Sequence, residues 1–426
     1  MRNSIPLKLD RRDEIEEENM DLNQILLEAL AQEASDVHIK VGAPPIFRVN
    51  GALRAWNKVK AFDSNDVSKM AFGLMNDWQK ERFIKNREVD MGYEVYGLGR
   101  FRVNVFQQRG KIRIALRIVP YQIKGLEELH LPTVLRNISL EQRGLILVTG
   151  TTGSGKSTTL ASMIDVVNAN RNCHIITIED PIEFIHEDKK SIVDQREIGS
   201  DTNTFSSALR VALRQDPDVI LVGEMRDFET IETALTAAET GHLVMSTLHT
   251  LNAAETINRI ISVFPPYHQK QVRLQLAGVI RGVVSQRLVP KSDGIGRVPA
   301  VEVLVSTSRV KECIVEKDKT NEINDAISKG YTTYGMQSFD QSLMLLMKEN
   351  LITYEEALKH CSNPDDFALR VKGILSASDG TWDDFEDLEK EKEKEKEKVK
   401  EDEKKVKFGK PPDPRVREGG ETGLKR

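Results

Sequence analysis

The sequence predicts an α/β protein: a core built on a mostly parallel sheet, a smaller mixed α/β domain before it, and helices after it. Three observations predict this. Residues 144–159 pass from an apolar strand-type run, Leu145 to Val148, through a glycine-rich turn into a helical pattern. Buried-type apolar segments at 145–149, 174–178, 219–222 and 243–247 alternate with helical patterns, the rhythm of parallel strands joined by crossover helices. Residues 20–119 have a different rhythm, with short strands that alternate apolar and polar residues.

In chain order, residues 1–19 are too charged to build a core and read as a disordered segment. Met20 with Asp21 reads as the natural start of the first domain, and Met20 as a candidate initiator. Asp21 is expected to cap a helix whose stripe is Leu22, Ile25, Leu26, Ala29 and Leu30. Short strands follow at 37–39 and 45–49, and Asn50-Gly51 signals a hairpin. Residues 64–86 read as helical, and 92–118 alternate again as strands. A connector with Pro120 and Pro132 spans 120–142. The second domain spans 143–375: parallel strands and helices, a further strand at Ala300–Leu304, and terminal helices. Residues 376–426 form a charged tail. Its Glu-Lys alternation from Glu389 to Lys398 places unlike charges at i,i+3 and like charges at i,i+4, which roughly cancel, so disorder is expected.

Composition excludes several functions. The net charge is −5, which offers no electrostatic reason for a nucleic-acid partner. No apolar run approaches the roughly 20 residues that span a bilayer, and the charged N-terminus has no secretory core. Cys173, Cys313 and Cys361 are scattered, which argues against a disulfide frame and against a paired-cysteine zinc site.

Five constellations carry chemistry. Gly150-x-x-x-x-Gly155-Lys156-Ser157, between a strand and a helix, is a phosphate-cradling loop. Its segment Gly150, Thr151, Thr152, Gly153, Ser154, Gly155, Lys156, Ser157 and Thr158 is the candidate binding site for ATP. Lys156 would reach the β- and γ-phosphates, and Ser157 would ligate Mg²⁺. Next, the strand ending at Ile178 runs into Glu179, Asp180 and Glu183, carboxylates able to hold Mg²⁺ through waters or to orient the attacking water. Then Val219 to Val222 runs into Gly223-Glu224; glycine stands where a Walker B aspartate would, so Glu224 must carry the acidic role. Fourth, His242 and His249 bracket a strand. His249, at its carboxyl end, is placed to sense the γ-phosphate or to bind acidic neighbours, and His242 fits a structural histidine as well as a functional one. Finally, the first domain carries Arg100, Arg102, Arg109, Arg113 and Arg117. The even spacing of Arg113 and Arg117 puts both on one strand face, a solvated basic face or a source of cations for triphosphate cleavage.

These motifs, in this order, resemble the secretion-superfamily ATPases that drive type II secretion and type IV pili. Ile178 to Glu183 is similar to their Asp box, Val222-Gly223-Glu224 to their atypical Walker B, and Thr240-Gly241-His242 through His249-Thr250 to their His box. Within that superfamily the chain resembles the pilus retraction (twitching motility) ATPases, the PilT/PilU group. The resemblance is carried by Ser35 to Ile39, Gly42 to Pro45, Arg48 to Gly51, and Gly335 to Gln341, and it covers about residues 20–375.

The resemblance implies a RecA-like P-loop NTPase core, a PAS-like first domain and a C-terminal helical part. It implies ATP and Mg²⁺ as cofactors, with Ser157, Glu224 and Asp180 toward the metal. It assigns Glu224 as the catalytic carboxylate with Glu183 assisting, His249 as nucleotide sensor, and Arg102, Arg113 and Arg117 as arginines directed into the active site. It further implies a homohexamer, cytoplasmic and peripherally attached to the inner membrane at the pilus base, where it acts on the platform protein; a paralogous retraction ATPase is a further partner. Missing zinc cysteines favour retraction over pilus assembly or type II secretion. Residues Ser308 to Glu316 depart from the group's Ala-Ile-Arg-Asn-Leu-Ile-Arg-Glu signature, which keeps an accessory retraction paralogue as an alternative.

Overall fold

The computed structural model describes residues 21–49, 51–119 and 123–371. The expectations for segment 1–19, for Met20, Asn50 and Pro120, and for the tail 376–426 lie outside these residues.

The first domain opens with α1 (Leu22–Ala31), which buries Leu22, Ile25, Leu26 and Ala29. Asp21 occupies the cap position with extended backbone, but its side chain makes no capping bond, contrary to the sequence expectation. Strands β1 (Asp36–Lys40), β2 (Ile46–Val49) and β3 (Ala52–Ala55) follow. Val49 lies opposite Ala52, and Gly51 takes a φ of 81° that its missing Cβ permits. The helical stretch at 64–86 is two helices, α2 (Ser64–Leu74) and α3 (Asp77–Asn86). Asn76 divides them: its side chain accepts from Gln79 N–H while the Gln79 side chain accepts from Asn76 N–H. That reciprocal box starts a new helix instead of continuing the old one. Then β4 (Glu88–Val95), β5 (Gly99–Gln108) and β6 (Lys111–Ile118) complete an antiparallel sheet in the order β3-β2-β1-β6-β5-β4.

Alternation on β5 and β6 sets what this sheet presents. Phe101, Val103, Val105, Ile114 and Leu116 are buried in one cluster with residues of α1, α2 and α3. The opposite face therefore carries Arg100, Arg102, Arg113 and Arg117.

Residues 123–143 contain α4 (Val134–Ser139), and Leu126, Leu131, Leu135 and Ile138 are buried against the second domain. That domain runs β7 (Gly144–Thr149), α5 (Lys156–Asn170), β8 (His174–Glu179), β9 (Ile192–Glu197), α6 (Phe205–Ala212), β10 (Val219–Val222), α7 (Phe228–Glu239), β11 (Leu243–Leu248), α8 (Ala253–Ser262), α9 (Gln269–Val279), β12 (Ile280–Pro290) and β13 (Arg297–Val305). The strand order is β13-β12-β7-β11-β10-β8-β9, with every pairing parallel except that of β12 with β13. Every residue of β7, β10 and β11 is buried, as expected for strands covered on both faces.

Two of these strands are absent from the sequence reading. Edge strand β9 (Ile192-Val-Asp-Gln-Arg-Glu197) is polar and has no apolar run. Helix α9 ends at Val279 and β12 begins at Ile280, so no loop composition marks the boundary. Beyond β13 come α10 (Ser308–Val315), α11 (Ile323–Lys329), α12 (Tyr331–Tyr334), α13 (Phe339–Lys348), α14 (Tyr354–His360) and α15 (Pro364–Val371). The last three close a small core over β12 and β13, through Phe339, Leu343 and Phe367. No helix among the described residues is long and apolar enough to cross a membrane.

Candidate functional site

Strand β7 delivers the chain into the glycine-rich loop, and β12 grips that loop from behind. The loop glycines Gly150, Gly153 and Gly155 have φ of 142°, 78° and 90°. A Cβ on Gly150 would stand 2.4 Å from the Gln286 carbonyl oxygen, and one on Gly155 would stand 2.7 Å from Gln286 Nε2. Glycine is thus demanded by strand contact as well as by backbone angle. Gln286 Nε2 donates to the Ser154 carbonyl at 2.7 Å, and its Oε1 accepts from Thr159 Oγ1 at 2.8 Å. These bonds are buried and tie the loop to α5 and β12. Sequence reasoning missed Gln286 because it missed β12; the β-branched run Val283-Val284 within 280–290 is the signal that could have found it.

Lys156 is the first residue of the fifteen-residue helix α5, whose positive end faces the cleft. Its Nζ donates to the carbonyls of Gly150 and Thr151 at 2.9 and 3.0 Å. Burial pulls the ammonium's pKa down, and the charges of Glu224 and Glu183 pull it back up. Thr152, Gly153, Gly155, Lys156, Ser157 and Thr158 line a cleft of about 840 Å³, whereas Gly150, Thr151 and Ser154 are not among its lining residues.

The carboxyl ends of the parallel strands open into the same cleft, as expected for an open α/β sheet. From β8 come Glu179, Asp180 and Glu183, and they are not equivalent. Glu179 is partly buried at the cleft wall: it accepts from Thr177 Oγ1 at 2.7 Å and Gln195 Nε2 at 3.1 Å, and burial pushes its pKa up. Asp180 is raised as well, first by burial and then by the neighbouring charges of Glu197 and Asp90, against the lowering pull of Arg102. Glu183 stands half exposed, 3.9 Å from an Arg102 nitrogen.

Glu224 follows β10 and meets His249, which follows β11, at 3.1 Å from His249 Nε2; Arg226 also pairs with Glu224. His242 lies before the amino end of β11, where Nδ1 contacts the Ala237 carbonyl at 3.0 Å. It has a helix-terminus partner and is not among the cleft's lining residues.

The first domain contributes Arg102 and Arg117 to the cleft. Arg117 also donates to Asp36 at 3.0 Å. Arg113 is a correction. It shares the face of Arg117 but sits four residue positions along the strand from it, about 13 Å, and it lies over the Phe106 ring, 5.9 Å from its centroid, and is not among the cleft's lining residues. Arg226 and Arg297 line the cleft in addition. Arg226 follows Glu224 by two residues in the sequence, whereas Arg297 arrives through β13, and no spacing pointed to it. Among the described residues no group of three or more His, Cys, Asp or Glu side chains is placed to hold a metal ion.

Residues 12–295 match the family model of the type II/IV secretion system protein. The type IV pilus retraction ATPase PilT of Pseudomonas aeruginosa is 45% identical over 348 residues, covering 82% of this chain and 100% of that protein. The type IV pilus ATPase PilU of the same organism is 40% identical over 353 residues, covering 83% of this chain and 92% of that protein. A crystal structure of the pilus retraction motor PilT with bound ADP superposes with a TM-score of 0.75 at 46% identity, over 81% of this chain and 98% of that one.

Proposed function

The chain belongs to the type II/IV secretion system protein family, and on that premise we propose that it is an ATP-hydrolysing motor that powers retraction of type IV pili. The observation that carries this reading is the convergence, in one cleft, of the glycine loop, Lys156, the Glu224–His249 pair and two arginines of the first domain, in a chain 45% identical to PilT over 82% of its own length and all of PilT's.

Each group has a task that its chemistry fits. Backbone N–H groups of the loop and the α5 terminus receive the phosphates, and Lys156 exchanges its two carbonyl partners for β- and γ-phosphate oxygens. Ser157, Glu224 and Asp180 are the side chains that would hold Mg²⁺, whose charge offsets that developing on the phosphates. Glu224 accepts the proton of the attacking water, with Glu183 orienting the same water from β8. His249, paired with Glu224, reports whether a γ-phosphate has drawn that pair apart. Arg102 and Arg117 bring cationic charge only when the first domain is docked, which links turnover to domain motion.

In this reading six copies form a ring on the cytoplasmic face of the inner membrane. The units are a PAS-like domain at 20–119, a linker at 120–142, an ATPase domain with terminal helices at 143–375, and flanking charged segments. The ring acts on the pilus platform protein. A second reading, an accessory retraction paralogue working beside a main motor, is favoured by Ser308–Glu316, which departs from the retraction signature. In α10 and the turn after it, Arg309, Glu312 and Lys319 form a charged network. Imaging labelled pili on cells lacking the chain tests both. Pili that accumulate and no longer shorten support the main motor. Normal numbers with weakened pulling force support the accessory role. Bald cells would overturn retraction in favour of assembly.

A further inference from the structure

Glu183 sits on the loop after β8, and that loop is held by a residue outside the cleft lining. Glu197 ends β9 with its side chain 3% exposed. Its Oε2 accepts the N–H of Ile182, the residue before Glu183, at 3.1 Å, while its Oε1 accepts the N–H of Gly92 on β4 at 3.0 Å. The same Oε2 pairs with Arg100 on β5. One buried carboxylate is thus shared between the acidic loop of the ATPase domain and two strands of the first domain. The Glu197 backbone stays with the ATPase domain, since its N–H donates to Asp201 Oδ2 at 2.7 Å. The first domain comes in close: a Cβ on Gly92 would stand 2.4 Å from Arg100 Nη2 and 2.8 Å from Glu197 Oε2.

We infer that Glu197 is a positioning residue that couples docking of the first domain to the placement of Glu183. With Gly92 and Arg100 engaged, the carboxylate is held over the Ile182 N–H, and the loop carrying Glu183 is fixed. When the first domain moves off, a buried carboxylate without its cation is strongly unfavourable. It turns toward water, Ile182 loses its acceptor, and Glu183 loses its register. Arg102 leaves in the same motion, so catalytic charge and catalytic geometry are withdrawn together. This inference rests on the assignment of Glu183 to ATP turnover.

Steady-state ATPase kinetics of the full chain test it, using Gly92→Ala, Arg100→Ala and Arg100→Lys. Gly92→Ala parts the contact sterically without changing any charge, and Arg100→Ala removes the cation. Both are expected to lower kcat about tenfold with KM for ATP within about twofold, because the glycine loop is untouched. Arg100→Lys should recover most of the loss. The double variant should fall no further than the worse single one, since both break one contact. Wild-type kcat in both single variants, below their melting temperatures, overturns the inference, and so does a raised KM with unchanged kcat. Lys156→Ala separates the two questions. If it stays active, the cleft assignment fails; if it is inactive while Gly92→Ala and Arg100→Ala turn over normally, the coupling alone fails.

Discussion

The phosphate loop and the charged rim of the cleft are built in opposite ways. The loop is one continuous segment between β7 and α5, buttressed by Gln286 through buried neutral hydrogen bonds. The rim is assembled from the ends of β8, β10 and β11 and from the first domain, through half-exposed contacts such as Arg102–Glu183 at 3.9 Å. Exposed ion pairs of that kind contribute little to stability, of the order of 1 kcal/mol or less. On the proposed function, the loop binds nucleotide in any domain arrangement, whereas the rim acts only when its parts are brought together. Binding and hydrolysis are thereby separable, which a motor requires.

Substitutions can break this comparison. Lys156→Ala should have the largest effect, a loss of turnover of about a thousandfold or more, because it removes a cation from the developing phosphate charge. A phosphate-release assay checks it, and near-normal turnover would mean that the loop does not carry the reaction. Glu224→Gln should reduce turnover by about a hundredfold or more while nucleotide still binds. Equilibrium binding of a fluorescent ATP analogue beside the rate measurement checks this, and loss of binding would show that rim and loop are not separable.

Glu302 tests the interior behind the loop. It is buried on β13, accepts the Ala253 N–H at 2.7 Å and bonds Ser285, which meets Thr149 at the end of β7 at 3.1 Å. Burial raises its pKa from 4.5 to about 7. A folded-state pKa above the unfolded value means that the folded chain holds the proton more tightly. The resulting destabilisation is absent below about pH 4.5, grows between there and pH 7, and is fully present above, at about 3 kcal/mol. Glu302→Gln keeps an acceptor for Ala253 and should melt higher than the parent at pH 8 but level with it at pH 5. Equal shifts at both pH values would refute the assignment.

Arg102→Ala is a milder change, with kcat lowered about tenfold and nucleotide affinity nearly unchanged. Arg113→Ala sharpens it: lying outside the cleft, Arg113 should leave turnover within about twofold of the parent. An equal loss in the two variants would show that Arg113 reaches an active site elsewhere, in a neighbouring copy.

The contrast also explains what could be read before the structure was known. Contiguous features were legible: the glycine loop, the buried strands, and the carboxylates and histidine at their ends. They depend on residues close in sequence, where backbone geometry and periodicity act directly. Features set by the meeting of distant segments were hidden. Gln286 and Arg297 arrive on strands β12 and β13, more than a hundred residues from the loop they serve. Glu179, Asp180 and Glu183 look alike in sequence and all line the cleft, yet Glu179 is tied to Thr177 and Gln195, while Glu183 stands half exposed beside Arg102.

By itself, then, the sequence determined that this is an α/β nucleotide-cleaving protein with a phosphate-cradling loop, because such a cradle is a local backbone device, and it named the strand ends as candidates for the chemistry. The tertiary structure alone decided which arginines line the cleft, and it placed the buried Glu197 in contact with both domains. Each of these depends on long-range packing that places a side chain within a few ångströms of groups far away in the chain.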